Sequence, residues 1–241
     1  MEYGLQLYSV RDMTGADLEG ALREVAALGY RFVEFAGFFG HSAEQVKKML
    51  NTYGLAVSGT HTGWQELTAD NIEATIAYHT AIGNKNIIIP GADLSTKEKL
   101  DDLIDLINEV QPRLAEAGIV LGYHNHAHEF VPTEYGAIIH KELEERTQVA
   151  FEIDTYWAYV AGQDPVALLE RLGERVNVIH LKDGYSDGRG MALGEGTAPV
   201  TAVREYAMAH GLAMVVESET CRPSGIEEVG RCIRYLDSLE K

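Results

Sequence analysis

Residues 31–61, RFVEFAGFFGHSAEQVKKMLNTYGLAVSGTH, change their hydrophobic period twice. Residues 31–36 are a short β-type run, residues 42–53 space their apolar side chains as a helix does, and residues 55–61 return to a strand pattern. Ser42 with Gln45 three positions on has the spacing of a capping box, and Gly54 is the expected stop. No hairpin turn joins the two strands. They are therefore expected to pair in parallel through a right-handed helical crossover.

The same alternation extends in both directions. Upstream lie a strand over 3–8 and a helix over 17–28 ended by Gly29. Downstream the predicted strands are 86–90, 119–124, 149–154, 176–182 and 212–217, after the one at 55–61. Helices are predicted over 70–82, 96–117, 136–145, 165–172, 200–210 and 225–239. Pro165 suits a first helical turn, where its missing N–H had no partner to lose. Eight strands alternating with eight helices predict an α/β protein, a (β/α)8 TIM barrel in a single domain over residues 1–241. That length is close to the roughly 250 residues such barrels use. The rival, an open doubly wound sheet, lacks its marks here: no GxGxxG follows the first strand and no Walker motif occurs.

With 20 Lys+Arg against 37 Asp+Glu the formal charge is −17, which argues against nucleic acid or an anionic membrane as partner. A chain 46% hydrophobic and 24% charged can build a core. Cys221 and Cys232 are too few for a disulfide framework, and no signal sequence or 18-residue apolar run is found, so a cytoplasmic protein is expected.

In such a barrel the C-terminal ends of the strands face the active site. Here they carry Gln6 and Tyr8, Glu34, His61, Pro90, His124 and His126, Glu152 and Asp154, His180 and Lys182, and Glu217 and Glu219. Within each pair a spacing of two puts both side chains on one face of the strand. So many carboxylates brought together require a counter-cation. His124, Asp154, His180 and Glu217 lie on strands five to eight and form the expected ligand set for a divalent metal. Mixed nitrogen and oxygen donors favour Mn²⁺ first, with Co²⁺, Zn²⁺, Fe²⁺ and Mg²⁺ as alternatives. Trp64 and Trp157 either stack on a sugar ring or pack the wall. The segment 194–197, GEGT, has the look of a phosphate cradle but only Arg189 nearby, and reads better as a loop turn.

Asp154 in FEIDTYW (151–157), His180 in VIHLKD (178–183) and Glu217 in MVVESE (214–219) resemble the sugar phosphate isomerase/epimerase family of xylose isomerase-like barrels over nearly the whole chain. The resemblance implies a ligand set of Glu, Asp, His and Glu on strands five to eight. Three positions match; on strand five the chain has His124-Asn125-His126 where the epimerases have Glu-Asn-His. A histidine cannot bind metal and take a proton at once, because a metal-bound nitrogen has no free lone pair. The YHNHxxEF pattern (123–130) resembles a sub-branch that acts on keto-sugars and 3-keto-glycosides.

The resemblance implies a metal-dependent isomerase, epimerase or lyase acting on a small-molecule sugar or keto-sugar through an enediolate. His126 or Glu217 is the candidate base, and either His124 or His126 the strand-five ligand. Lys182 is placed to hold the developing charge, and Glu152 to orient a ligand histidine. Tyr8, Glu34, His61, Trp157 and Glu129 are the expected substrate contacts. The alternatives are a metal-dependent endonuclease, disfavoured by the charge, and a sugar-binding subunit that turns over only with a partner. A homo-oligomer is expected from the same resemblance.

Overall fold

Eight parallel strands, Gly4–Gln6, Phe32–Phe35, Ala56–His61, Asn86–Ile89, Val120–His124, Ala150–Asp154, Val176–Leu181 and Ala213–Val216, pair in chain order and close into a barrel. Gly4 sits at the seam, beside Val215 on one side and Phe32 on the other. The structure is a computed structural model and describes residues 1–240. It bears out the (β/α)8 expectation.

Alternation along each strand decides what lies inside. Leu5, Val33, Phe35, Ile87, Ile89, Tyr123, Phe151, Ile153 and Val216 are fully buried in the core cluster that the helices cover. The other set faces the barrel axis, where space is short. A Cβ on Gly4 would stand 2.2 Å from the Phe32 ring and one on Gly59 2.6 Å from Ile88 Cδ1, so these glycines admit the side chains that fill the axis. The polar strand ends stand above that filling.

The helix signals hold where they are chemical. Asp17 accepts from Gly20 N, and Ser42 and Gln45 form the capping box at the start of Ala43–Tyr53. Gly29, Gly54 and Gly83 close their helices in the left-handed region. Two helices begin later than predicted, at Ile72 and Ile139; before the first, Asn71 and Ile72 donate to Thr68 O in a turn. A six-residue helix, Thr155–Val160, starts directly after Asp154, and its aromatic sequence TYWAYV gives no helical period to read. The glycine-rich loop contains a two-residue antiparallel ladder, Asp183–Gly184 with Gly190–Met191. Among the described residues no helix is long and apolar enough to cross a membrane.

Candidate metal centre

Asp154 ends its strand and caps the next helix. Its Oδ1 accepts from Trp157 N at 2.8 Å, while Oδ2 is buried without a hydrogen-bond partner. Asn125 extends the strand pairing by one step: it donates to Asp154 O and accepts from Asp154 N, both at 3.1 Å. That clamp sets the height of Asp154 against its neighbours His124 and His180, the latter directly opposite in register. His124, Asp154, His180 and Glu217, all buried, each bring one donor atom within 4.8 Å of the others. His124 Nε2 lies 3.7 Å from Asp154 Oδ2, and His180 Nδ1 3.3 Å from Glu217 Oε2. Donors about 2.1 Å from a shared ion stand roughly 3–3.5 Å apart, so the set needs little adjustment to hold one. Both ring nitrogens of His124, Nδ1 of His180 and Oδ2 of Asp154 have no hydrogen-bond partner. Buried polar atoms left so cost on the order of 1–3 kcal/mol each, and a shared cation would satisfy Asp154 Oδ2, His180 Nδ1 and one of the two His124 nitrogens. The residues fit the metal expected of them.

Beneath this set lies a second layer. His180 Nε2 is 2.9 Å from Glu34 Oε1 and 3.2 Å from Glu152 Oε2, and His61 Nε2 is 2.7 Å from Glu152 Oε2 and 3.1 Å from Glu34 Oε1. Gln6 Nε2 donates to Glu34 as well. The two carboxylates thus hold the proton on His180 Nε2 and turn Nδ1 towards the ligand set, the orienting role expected for Glu152. Burial alone would lower the His61 pKa, but the charge on Glu34 and the hydrogen bonds to Glu152 and Glu34 raise it to about 10. Burial opposes ionisation of Glu34 too, yet His180 and His61 keep it well below the usual carboxylate range. His124 is shifted the other way: burial lowers it, and its contact with Asp154 offsets only part. The shift favours the neutral imidazole, the form that can ligate a metal.

These shifts give a signed expectation for the metal-free protein. His61 has a folded pKa above its unfolded value, so its contribution is complete below about pH 6.5 and lost as pH rises towards 10. Glu34 has a depressed pKa, so its contribution is complete above about pH 4.5 and lost as pH falls. The urea midpoint measured in chelator should therefore be highest between these limits. A midpoint flat from pH 6.5 to 10 would show that the His61 pairing does not contribute.

Lys182 is 1% exposed and, among the described residues, supplies the only ammonium of the site. Its Nζ lies 2.9 Å from Glu219 Oε1, 3.2 Å from Glu217 Oε2, 3.6 Å from Asp154 Oδ2 and 4.8 Å from the centre of the Trp157 ring. Burial would lower its pKa, but Glu217, Asp154 and Glu219 outweigh that and raise it. Five carboxylates, Glu34, Glu152, Asp154, Glu217 and Glu219, face Lys182, His61 and His180. Even with both histidines protonated the cluster is anionic and calls for a further cation.

A cavity of about 360 Å³ opens above it, lined by Tyr8, His61, His124, His126, Glu217 and Glu219 among others. Its volume falls within the range of small-ligand sites. Tyr8, His61 and His126, singled out from the sequence, are among the residues that line the cavity. Glu34 and Glu129, also expected at the substrate, are fully buried and do not line the cavity. Glu34 is held by Gln6, His61 and His180, and Glu129 by Tyr123, His128 and the His126 N–H. Trp157 and Lys182, both expected at the substrate, lie against each other outside the cavity lining.

Residues 22–239 match the family described as xylose isomerase-like TIM barrel. The chain belongs to that family. It is 27% identical over 190 residues to an inosose dehydratase from Geobacillus kaustophilus, covering 69% of this chain and 62% of that protein. It is 23% identical over 200 residues to the rhizopine catabolism protein MocC of Rhizobium meliloti, covering 70% of this chain and 58% of that protein. The chain thus spans about 60% of the length of these curated relatives. A solved sugar phosphate isomerase/epimerase from Parabacteroides distasonis superposes with a TM-score of 0.84 at 27% identity, over 98% of this chain and 97% of that one.

Two buried carboxylates with no role predicted from sequence brace the mouth of this xylose isomerase-like barrel. Asp183 accepts from the N–H groups of Gly184, Gly194, Gly196 and Ala198. The glycine-rich segment is therefore a cradle for the chain's own aspartate, and Arg189 pairs with Asp187 at the surface. Glu228, on the last helix, accepts from Ser218 Oγ, Thr220 N and Oγ, and Arg222 N, and so holds the loop carrying Glu219 beyond Glu217. A Cβ on Gly196 would stand 2.3 Å from Asp183 Oδ1 and 2.4 Å from Gly184 N. Gly196→Ala should thus cost about 1–3 kcal/mol in a denaturant titration, because backbone cannot yield cheaply. A wild-type midpoint would show the cradle to be loose.

Proposed function

We propose that the protein is a divalent-metal-dependent isomerase, epimerase or lyase that acts on a sugar or keto-sugar by removing a proton beside a carbonyl. The observation that carries this reading is the convergence of His124, Asp154, His180 and Glu217 at the floor of a cavity, with Lys182 alongside. A divalent ion held there, Mn²⁺ first among the candidates, supplies Lewis-acid polarisation of a substrate carbonyl. The protein's own groups do the rest. Glu34 and Glu152 keep His180 oriented. Lys182, buried outside the cavity lining, holds its ammonium against Asp154, Glu217, Glu219 and the Trp157 face and so fixes and partly neutralises the carboxylates around the ion. His126, lining the cavity and partly exposed, is the proton acceptor, since Glu217 is engaged by Lys182 and His180. Tyr8 offers an aromatic face to the sugar's C–H surface.

The activities for which the relatives are named, inosose dehydratase and sugar phosphate isomerase/epimerase, fit proton removal followed by elimination or by return of the proton. The decisive experiment incubates the protein with Mn²⁺ and a panel of ketoses and inososes in D₂O and follows proton exchange by NMR. Deuterium should enter at the carbon beside the carbonyl, and chelator should stop it. Protein that binds no Mn²⁺ and exchanges no proton in any of these compounds would overturn the reading.

A further inference from the structure

The sequence HNHAHE, residues 124–129, carries two more imidazoles and one more carboxylate than the four-residue centre uses. After His124 the chain leaves its strand and turns through the 3-10 segment His128–Phe130. The turn brings the rings of His126 and His128 nearly parallel, with centroids 5.7 Å apart and 16° between planes. Glu129 lies beneath them, fully buried. Its Oε2 accepts from His126 N at 2.8 Å and Tyr123 OH donates to its Oε1, so the carboxylate cannot swing away. Oε1 is then 3.1 Å from His128 Nε2 and 4.0 Å from His126 Nδ1. The last distance is too long for a hydrogen bond, and His126 Nδ1 is buried with no partner. The three donor atoms lie within 4.8 Å of one another.

We propose that His126, His128 and Glu129 form a second cation site at the rim of the mouth, separate from the four-residue centre. Two imidazoles and one carboxylate, with the histidine rings 39% and 61% exposed, leave coordination positions open to water or ligand. This donor set selects Zn²⁺, Co²⁺ or Ni²⁺ over Mg²⁺ and Mn²⁺. The fixed part is Glu129, and His128 Nε2 already stands 3.1 Å from its Oε1. An ion here takes His126 through Nδ1 and leaves the proton on Nε2, so a loaded rim site and proton removal by His126 exclude one another.

The test is a Co²⁺ titration of tag-free, metal-stripped protein, read by equilibrium dialysis and by the visible Co²⁺ absorption, on wild type, His128→Ala and Asp154→Asn. Wild type should take up two equivalents. His128→Ala should lose the weaker one and keep the other, and Asp154→Asn should do the reverse. Glu129→Gln, checked for folding by circular dichroism, should weaken the rim equivalent about tenfold or more. A single equivalent that survives His128→Ala and disappears in Asp154→Asn overturns the rim site and leaves the catalytic reading standing. Two equivalents retained in His128→Ala also overturn it, since the second ion would then lie elsewhere. A single equivalent lost only in His128→Ala supports the rim site and removes the four-residue centre instead.

Discussion

Asp154→Asn is expected to release Mn²⁺ and to lower turnover by more than the roughly 10–100-fold typical of residues that only orient a ligand. The geometry separates the effect from folding. Oδ1 caps the helix Thr155–Val160, and an asparagine carbonyl can take over that hydrogen bond. The amide nitrogen then stands where Oδ2 was, 3.7 Å from His124 Nε2 and 3.6 Å from the Lys182 ammonium, and offers neither charge nor lone pair. Asp154→Ala removes the cap as well and should cost about 1 kcal/mol more in stability. Mn²⁺ affinity read by electron paramagnetic resonance, beside melting in chelator, distinguishes the two variants. Unchanged Mn²⁺ affinity in Asp154→Asn would remove Asp154 from the ligand set.

Lys182→Met should act in two directions at once. Turnover is expected to fall by about 10–100-fold, the usual loss when a group that positions metal ligands is removed. Mn²⁺ should bind more tightly. The Lys182 ammonium stands 3.6 Å from Asp154 Oδ2 and 3.2 Å from Glu217 Oε2, and a positive charge so close to two of the ligand candidates would oppose a cation there by on the order of a few kcal/mol at an effective dielectric of 20. Allowing for relaxation, a gain of about tenfold or more in affinity is expected. Methionine fills the same volume, so packing against Trp157 survives. Without metal the variant leaves Asp154, Glu217 and Glu219 unneutralised and should melt lower; Mn²⁺ should restore it. Mn²⁺ binding weaker than in wild type would mean that Lys182 assists the ion and does not compete with it.

The ligand candidates were legible because a parallel barrel brings every strand end to one rim, so that polar residues at the ends of apolar runs identify themselves. His124, Asp154, His180 and Glu217 carry that mark, and so does Glu219, whose spacing of two from Glu217 was the available clue to its contact with Lys182. Asp183 and Glu228 carry no such mark. One sits in a glycine-rich loop and one on a helix, and their importance comes from backbone N–H groups that fold back to them from up to 15 residues away. Glu34 and Glu129 show the converse. Both look like site residues along the chain, but their side chains point under the site and are taken by neighbours.

Hydrophobic period, capping residues and terminal glycines were enough to settle the strand–helix order, the barrel and the side on which chemistry gathers, because each depends on residues within a few positions of one another. Which nitrogen of His180 faces the ligand set, where Lys182 finds its three carboxylates, and how His126 and His128 come to stand over Glu129 were decided only when distant strands and loops met. Hydrogen bonds and ion pairs act over about 3–4 Å in space, and spacing along the chain does not encode which groups will meet at that range.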